Sequence, residues 1–139
     1  WEYACRAGTA TPMNYGGLDD DYGKLANLAD INVKQMRALG WGLPHGAIPP
    51  WRPAAAAVND GFRVSAPVGS FEPNAWGVCD AHGNVAEWTS DAASDGARRL
   101  ARGGSWWSRP RRAVFSEAWP YAPWQGVFDV GFRVVINAR

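Results

Sequence analysis

Cysteine and histidine are scarce in this 139-residue chain: it holds only Cys5, Cys79, His45 and His82. Two thiols allow at most one disulfide, which excludes a disulfide-stapled scaffold, and buried free thiols are the ordinary expectation. Long apolar runs are absent too, none approaching the ~18 residues of a membrane-crossing helix. The opening residues WEYACRAGT lack the charged-then-apolar order of a signal peptide. Because Trp1 reads as the middle of an element, we expect an N-terminal part to be missing and the chain to belong to a longer protein, and we infer no compartment. Nor is there an excess of charge: 14 basic against 13 acidic residues leave a formal +1.

What is present describes a folded globular chain. Hydrophobic residues make up 47% and charged residues 19%, enough apolar surface to offset ordering entropy. One domain over residues 1–139 is expected, burying roughly two thirds of its unfolded surface. Nine tryptophans stand beside sixteen glycines and ten prolines. Glycine costs entropy inside elements and proline removes a backbone donor, so long ordered loops are expected. Tryptophans, with large area and a polar handle, are expected to pin them.

Residues 1–7 read as the end of a helix stopped at Gly8 by a left-handed cap. Apolar residues at Leu28, Ala29, Val33, Met36 and Leu39 suit a helical face, and we favour a helix capped by Asp30, starting at Ile31 and ending near Gly40. Trp41–Pro53 carries too many breakers for any element. Short extended segments are expected over Phe62–Phe71, and strands over Leu100–Trp107 and Gly131–Ile136.

Three patterns carry chemistry. In Asp80-Ala-His-Gly-Asn-Val-Ala-Glu87 two carboxylates stand seven residues apart around a glycine turn, where carbonyls can point inward beside them. Hard cations such as calcium take six to eight oxygens and suit such a loop better than zinc does. Asp80 capping a turn and Glu87 facing solvent is the other reading, and a lone His82 is more often a hydrogen-bonded packing residue than a ligand. Second, Arg98, Arg99, Arg102, Arg109, Arg111 and Arg112 fall in one stretch with no acid, interrupted by Trp106 and Trp107 and followed by Trp119, Tyr121, Trp124 and Phe128. Arginines stacked over packed tryptophans and paired to distant acids is one account; a groove for a peptide, carbohydrate or single-stranded nucleic acid is another. Third, Arg102-Gly103-Gly104-Ser105 lacks the spacing and lysine of a P-loop, and its glycines read as a close backbone approach in a strand. No serine has an evident histidine base, and Asp91, Asp95 and Glu117 read as solvated loop acids.

The segments APVGSFEPNAWGVCDAHGNVAEWTSD (66–91), RGGSWW (102–107), GFRVV (131–135) and the opening WEYACRAGT resemble, in order and spacing, the sulfatase-modifying factor family, whose type member is formylglycine-generating enzyme. The resemblance implies an α+β fold of C-type lectin-like type with little regular secondary structure. It implies structural Ca²⁺ at two sites: Asp80 and Glu87 with the carbonyls of Gly83 and Val85, and Asn27 and Asp60 with the carbonyls of Leu28 and Phe62. It implies a substrate groove at Ser105, Trp107, Ser108, Arg109 and Arg112, with Trp107 and Trp124 as walls, and a protein or peptide partner rather than nucleic acid or membrane. The family's activity is oxidation of a sulfatase cysteine, in a Cys-x-Pro-x-Arg context, by O₂ and copper held by two cysteines. The matching positions here are Ser108 and Ala113. Hydroxyl and methyl groups cannot replace the thiolates that hold soft Cu(I), so copper is not expected in this copy. Two histidines cannot supply a three-histidine iron site of the kind used by related sulfoxide synthases. A non-catalytic ligand- or peptide-binding module is the alternative to an oxidase.

Overall fold

A computed structural model describes residues 1–38, 55 and 57–136; His45, Trp41–Pro53 and the expected helix end at Gly40 lie outside them. Two helices, α1 (Glu2–Arg6) and α2 (Ile31–Ala38), precede the strands β1 (Ala86–Ala92), β2 (Arg99–Arg102), β3 (Ala118–Tyr121) and β4 (Val130–Gly131), with a 3₁₀ turn at Pro110–Arg112 between β2 and β3. The strands form one mixed sheet in the order β3-β2-β1-β4. β1 runs antiparallel to β2, with Glu87 opposite Arg102, and parallel to β4; β2 and β3 are antiparallel, with Ala101 opposite Trp119. This is an α+β arrangement in which loops carry much of the chain. No helix of the described residues is long and apolar enough to cross a membrane.

Local chemistry sets the helix ends. The Asp30 carboxylate accepts the Asn32 N–H at 2.7 Å, satisfying an orphan donor of the first turn, so α2 starts at Ile31 as expected. Val33 and Met36 then bury against Ala29 and Trp106. α1 is held by an Arg6–Glu2 pair at 2.7 Å. Its left-handed exit begins at Ala7 (φ +46°), one residue earlier than the expected stop, and continues through Gly8 (φ +88°).

The strands depart further from the sequence reading. β2 stops at Arg102 rather than Trp107, because Gly103 (φ +89°) and Gly104 (φ +69°) turn the chain out of the sheet; the glycines allow a close approach, but at a turn. From the expected strand 131–136 only Gly131 pairs, while Phe132, Val134, Val135 and Ile136 are exposed. Residues 62–71 contain no strand. β1 and β3 were not evident: AEWTSDA is poor in β-branched residues, and AWPY contains Pro120. That proline is tolerated because β3 is an edge strand.

Tryptophan is not the main pin of the loops. Of the described tryptophans only Trp106 is buried, and Trp76 and Trp124 are exposed. Buried amides do that work. Asn74 donates to the carbonyls of Ala4 and Cys5 and accepts from the N–H groups of Trp76 and Val78. Asn84, left-handed at φ +57°, exchanges two bonds with Ala66, donates its N–H to Asn27 and accepts from Trp106. Each thereby satisfies loop backbone groups that would otherwise be buried unpaired. Both cysteines are free, Cys5 buried and Cys79 half-buried, and burial pushes the Cys5 thiol up to about 12.

Candidate functional site

The RGGSWW segment leaves β2 through the Gly103-Gly104 turn and is anchored by Trp106, whose N–H bonds the Asn84 carbonyl at 2.9 Å. With that indole in the core, Ser105, Trp107 and Ser108 are presented to a cleft of about 310 Å³, together with Arg109 and Arg112 from the following turn. Five of the six residues expected to line one groove therefore meet. The sixth, Trp124, is 87% exposed and stands outside the cleft; Trp119 and Tyr121 of β3 form that wall instead.

The floor is a hydrogen-bonded set. Ser105, fully buried, donates from Oγ to Asp129 Oδ2 at 2.7 Å and accepts the Trp107 N–H at 3.2 Å. Ser108 Oγ accepts the Ser105 N–H at 3.1 Å. Asp129 is a residue that the sequence did not single out. It is placed by its own carbonyl, which accepts the Ala86 N–H at the start of β1. Burial and then the Asp129 charge hold the Tyr121 phenol above its ordinary value.

Ser108 and Ala113 converge. A β-carbon built on Gly104 would lie 2.7 Å from Ala113 Cβ and 3.2 Å from Ser108 Cβ, so both side chains border the space that this glycine leaves open. Two cysteines there could share one soft ion; a hydroxyl and a methyl cannot. Neither cysteine of the chain lines this cleft. His82 is no substitute ligand or base, since Nδ1 bonds the Ala113 carbonyl at 2.7 Å and Nε2 accepts the Asn14 N–H at 3.0 Å. Burial lowers its pKa to about 4 against the favourable carbonyl bond.

Half of the arginine cluster is paired. Asp95 holds Arg98 at 2.6 Å, Arg102 lies 3.7 Å from Glu2 and 3.8 Å from Asp91, and Arg112 lies 3.3 Å from Glu117. The acids that read as solvated are partners of these cations. Arg112 also lies over Trp119, its guanidinium carbon 4.1 Å from the ring centroid. Arg109, exposed on the cleft rim, has no ion pair among the described residues.

The loops expected to hold cations lie against one another on the other side of this turn. Asn27 bridges Gly83, and its carbonyl accepts the Asn84 N–H at 2.8 Å. Asp60 joins the rest of the Asn27 set: Oδ2 accepts from Leu28 N–H at 3.1 Å and Oδ1 from Phe62 N–H at 2.8 Å. Burial pushes Asp60 up to about 7 against those bonds, and neighbouring Asp30 adds to the rise. In the other set Asp80, near Gly83 and Val85 in the chain, accepts the Gly69 N–H through Oδ2 at 2.8 Å, while its buried Oδ1 has no partner. Glu87 differs from expectation. It does not face solvent, and both its oxygens are engaged, Oε1 by Arg133 at 2.5 Å and Oε2 by Arg133 at 2.9 Å and the Trp1 indole at 2.7 Å. Asp80 is thus the acid with an unmatched oxygen. Among the described residues no three His, Cys, Asp or Glu side chains meet, so a cation in either loop would rest largely on amide and carbonyl oxygens, donors that suit calcium.

The sulfatase-modifying factor enzyme 1-like domain profile matches residues 1–138. The formylglycine-generating enzyme of Mus musculus is 34% identical over 99 residues, 66% of this chain and 20% of the mouse protein. The inactive C-alpha-formylglycine-generating enzyme 2 of Bos taurus is 42% identical over 94 residues, 62% of this chain and 31% of that protein. Among solved structures, PvdO from Pseudomonas aeruginosa superposes with a TM-score of 0.65 at 27% identity, over 94% of this chain and 47% of that one. Treponema denticola variable protein 1 gives 0.68 at 22% identity, over 95% and 43%, a likeness of fold alone. The chain spans less than half of either solved structure and a fifth of the mouse enzyme.

Proposed function

The chain belongs to the sulfatase-modifying factor family, and from that premise we propose that its cleft binds a polypeptide segment without carrying out the family's copper-dependent oxidation, on a C-type lectin-like scaffold whose loops are tied by calcium. The observation that carries this reading is the meeting of Ser108 and Ala113 beside Gly104, where a copper site needs two thiolates. The cleft itself is retained, with its serine–aspartate floor, aromatic wall and exposed arginine. A relative named as an inactive formylglycine-generating enzyme, 42% identical over its matched stretch, supports the absence of the oxidation. For calcium, the support is the buried, unpartnered Asp80 Oδ1 at one site and the buried Asn27 and Asp60 at the other. Bound there, the ions would neutralise buried carboxylates and link loops that no sheet connects. Asp80 with the Gly83 and Val85 carbonyls would hold one ion, and Asn27 and Asp60 with the Leu28 and Phe62 carbonyls the second.

The test incubates the chain aerobically with copper and a Cys-x-Pro-x-Arg peptide and follows aldehyde formation by mass spectrometry. No aldehyde is expected. In parallel, Cu(I) competition with a chromogenic chelator is expected to show tight binding by the Ser108→Cys, Ala113→Cys double variant and none by the natural chain. Aldehyde above a protein-free control from the natural chain would sink the reading.

A further inference from the structure

Resting on the polypeptide-binding reading, we propose that the cleft selects acidic segments, with a ligand carboxylate on Arg109 and a ligand backbone N–H directed to Asp129. The charge layout carries this. Of the arginines in the 98–112 stretch, Arg98, Arg102 and Arg112 have acidic partners; Arg99, Arg109 and Arg111 have none among the described residues, and of these three Arg109 lines the cleft. Its backbone is held in place: Arg109 opens the 3₁₀ turn, its carbonyl accepting the Arg112 N–H at 2.8 Å, and Pro110 stiffens the next position. From that root its guanidinium offers donors in a planar fork matched to a carboxylate.

Behind this cationic rim the Asp129 carboxylate, tied to Ser105 at 2.7 Å, forms an acceptor floor. The cleft is therefore dipolar. An extended peptide with an acidic side chain offers both complements, a carboxylate for the rim and N–H donors for the floor. A basic side chain, such as the arginine of a Cys-x-Pro-x-Arg segment, would meet Arg109 and Arg112 as like charges. A nucleic acid strand fits poorly, because consecutive phosphates need several cations and would face Asp129 in the cleft. Arg112 stacked over Trp119 at 4.1 Å, with Tyr121 beside it, forms the wall along which the peptide would lie.

The test selects binders from a random heptapeptide phage library against the natural chain and against Arg109→Glu, with circular dichroism confirming that both are folded. We expect enrichment of Asp and Glu with the natural chain and its reversal toward Lys and Arg with Arg109→Glu. A synthetic copy of a selected acidic peptide should bind Arg109→Glu at least about tenfold more weakly, a change of ~1.4 kcal/mol, with Arg109→Lys intermediate and added salt weakening the natural complex. Peptides recovered without acid enrichment, or with enrichment unchanged by Arg109→Glu, would overturn the inference and leave polypeptide binding standing. If the folded natural chain recovers no peptide above background, the polypeptide reading fails, and the inference with it.

Discussion

The cleft and the loops around Asn27, Asp60 and Gly83 both carry polar side chains on irregular backbone, yet they differ in what those side chains bond. In the loops, the carboxylates and amides are buried and turned on backbone: Asp60 on Leu28 and Phe62, Asn84 on Ala66. In the cleft, Arg109 and Arg112 are exposed and the floor bonds leave Asp129 half-buried. The lesson is that the loops are constrained by the fold, whereas the cleft leaves charged groups open to solvent. Positions 108 and 113 belong to both regions: the Ser108 carbonyl accepts the Ala29 N–H, and Ala113 packs in the core with Met13, Tyr22, Ala26 and Leu28.

The harshest way to break the comparison is Gly83→Ala. Its β-carbon would lie 2.0 Å from the Asn27 carbonyl oxygen at φ +74°, so backbone must move, and we expect a loss of about 4 kcal/mol or more in urea unfolding. An equal loss from a cleft substitution would erase the distinction between the regions.

The next effect is a pH dependence from His82. Its pKa is near 4 in the fold against an ordinary 6.5, so between those values the unfolded chain binds the extra proton. Its contribution is complete above pH 6.5 and is lost as pH falls toward 4, a change of roughly 3 kcal/mol. Asp60, shifted upward, acts in the opposite sense over the same range; comparing the natural chain with His82→Gln cancels it. The stability difference between the two should shrink from pH 7 to pH 4.5, whereas a constant difference would mean that His82 is not held neutral.

Calcium sharpens the contrast further. At a free concentration 100 times its dissociation constant it should stabilise the chain by about 2.7 kcal/mol, seen as a fall in Tm on adding chelator. Asp80→Ala should remove that response. Glu87→Gln should lower stability with or without calcium, because it breaks the Arg133 pair; a calcium response lost equally in both variants would return Glu87 to the ligand set. The smallest effect belongs to the cleft: Ser108→Ala loses one bond from the Ser105 N–H, about 1 kcal/mol, and thermal unfolding should shift by only a few degrees.

Much of the site was readable because its residues are neighbours in the chain. Ser105, Trp107, Ser108, Arg109 and Arg112 fall within eight positions, and a turn over so short a span brings them to one place. Asp129 gave no such signal. It joins Ser105 across 24 positions, and alone it looks like any loop acid. The same holds for Trp119 taking the wall expected of Trp124, five residues further along: alternation in an edge strand decided which aromatic faces inward, and that strand was hidden by its proline.

By itself the sequence determined the features that a few adjacent residues set: the Asp30 cap of α2, the glycine turns, the loop-rich α+β character and the loss of both thiolate positions. Tertiary structure decided the rest. Only folding could commit Glu87 to Trp1 and Arg133, 86 and 46 positions away, assign acids to the arginines, and reduce GFRVVI to a single paired residue. Caps and turns are governed by bonds within one or two turns of chain, whereas ion pairs and strand partners depend on which distant segments become neighbours.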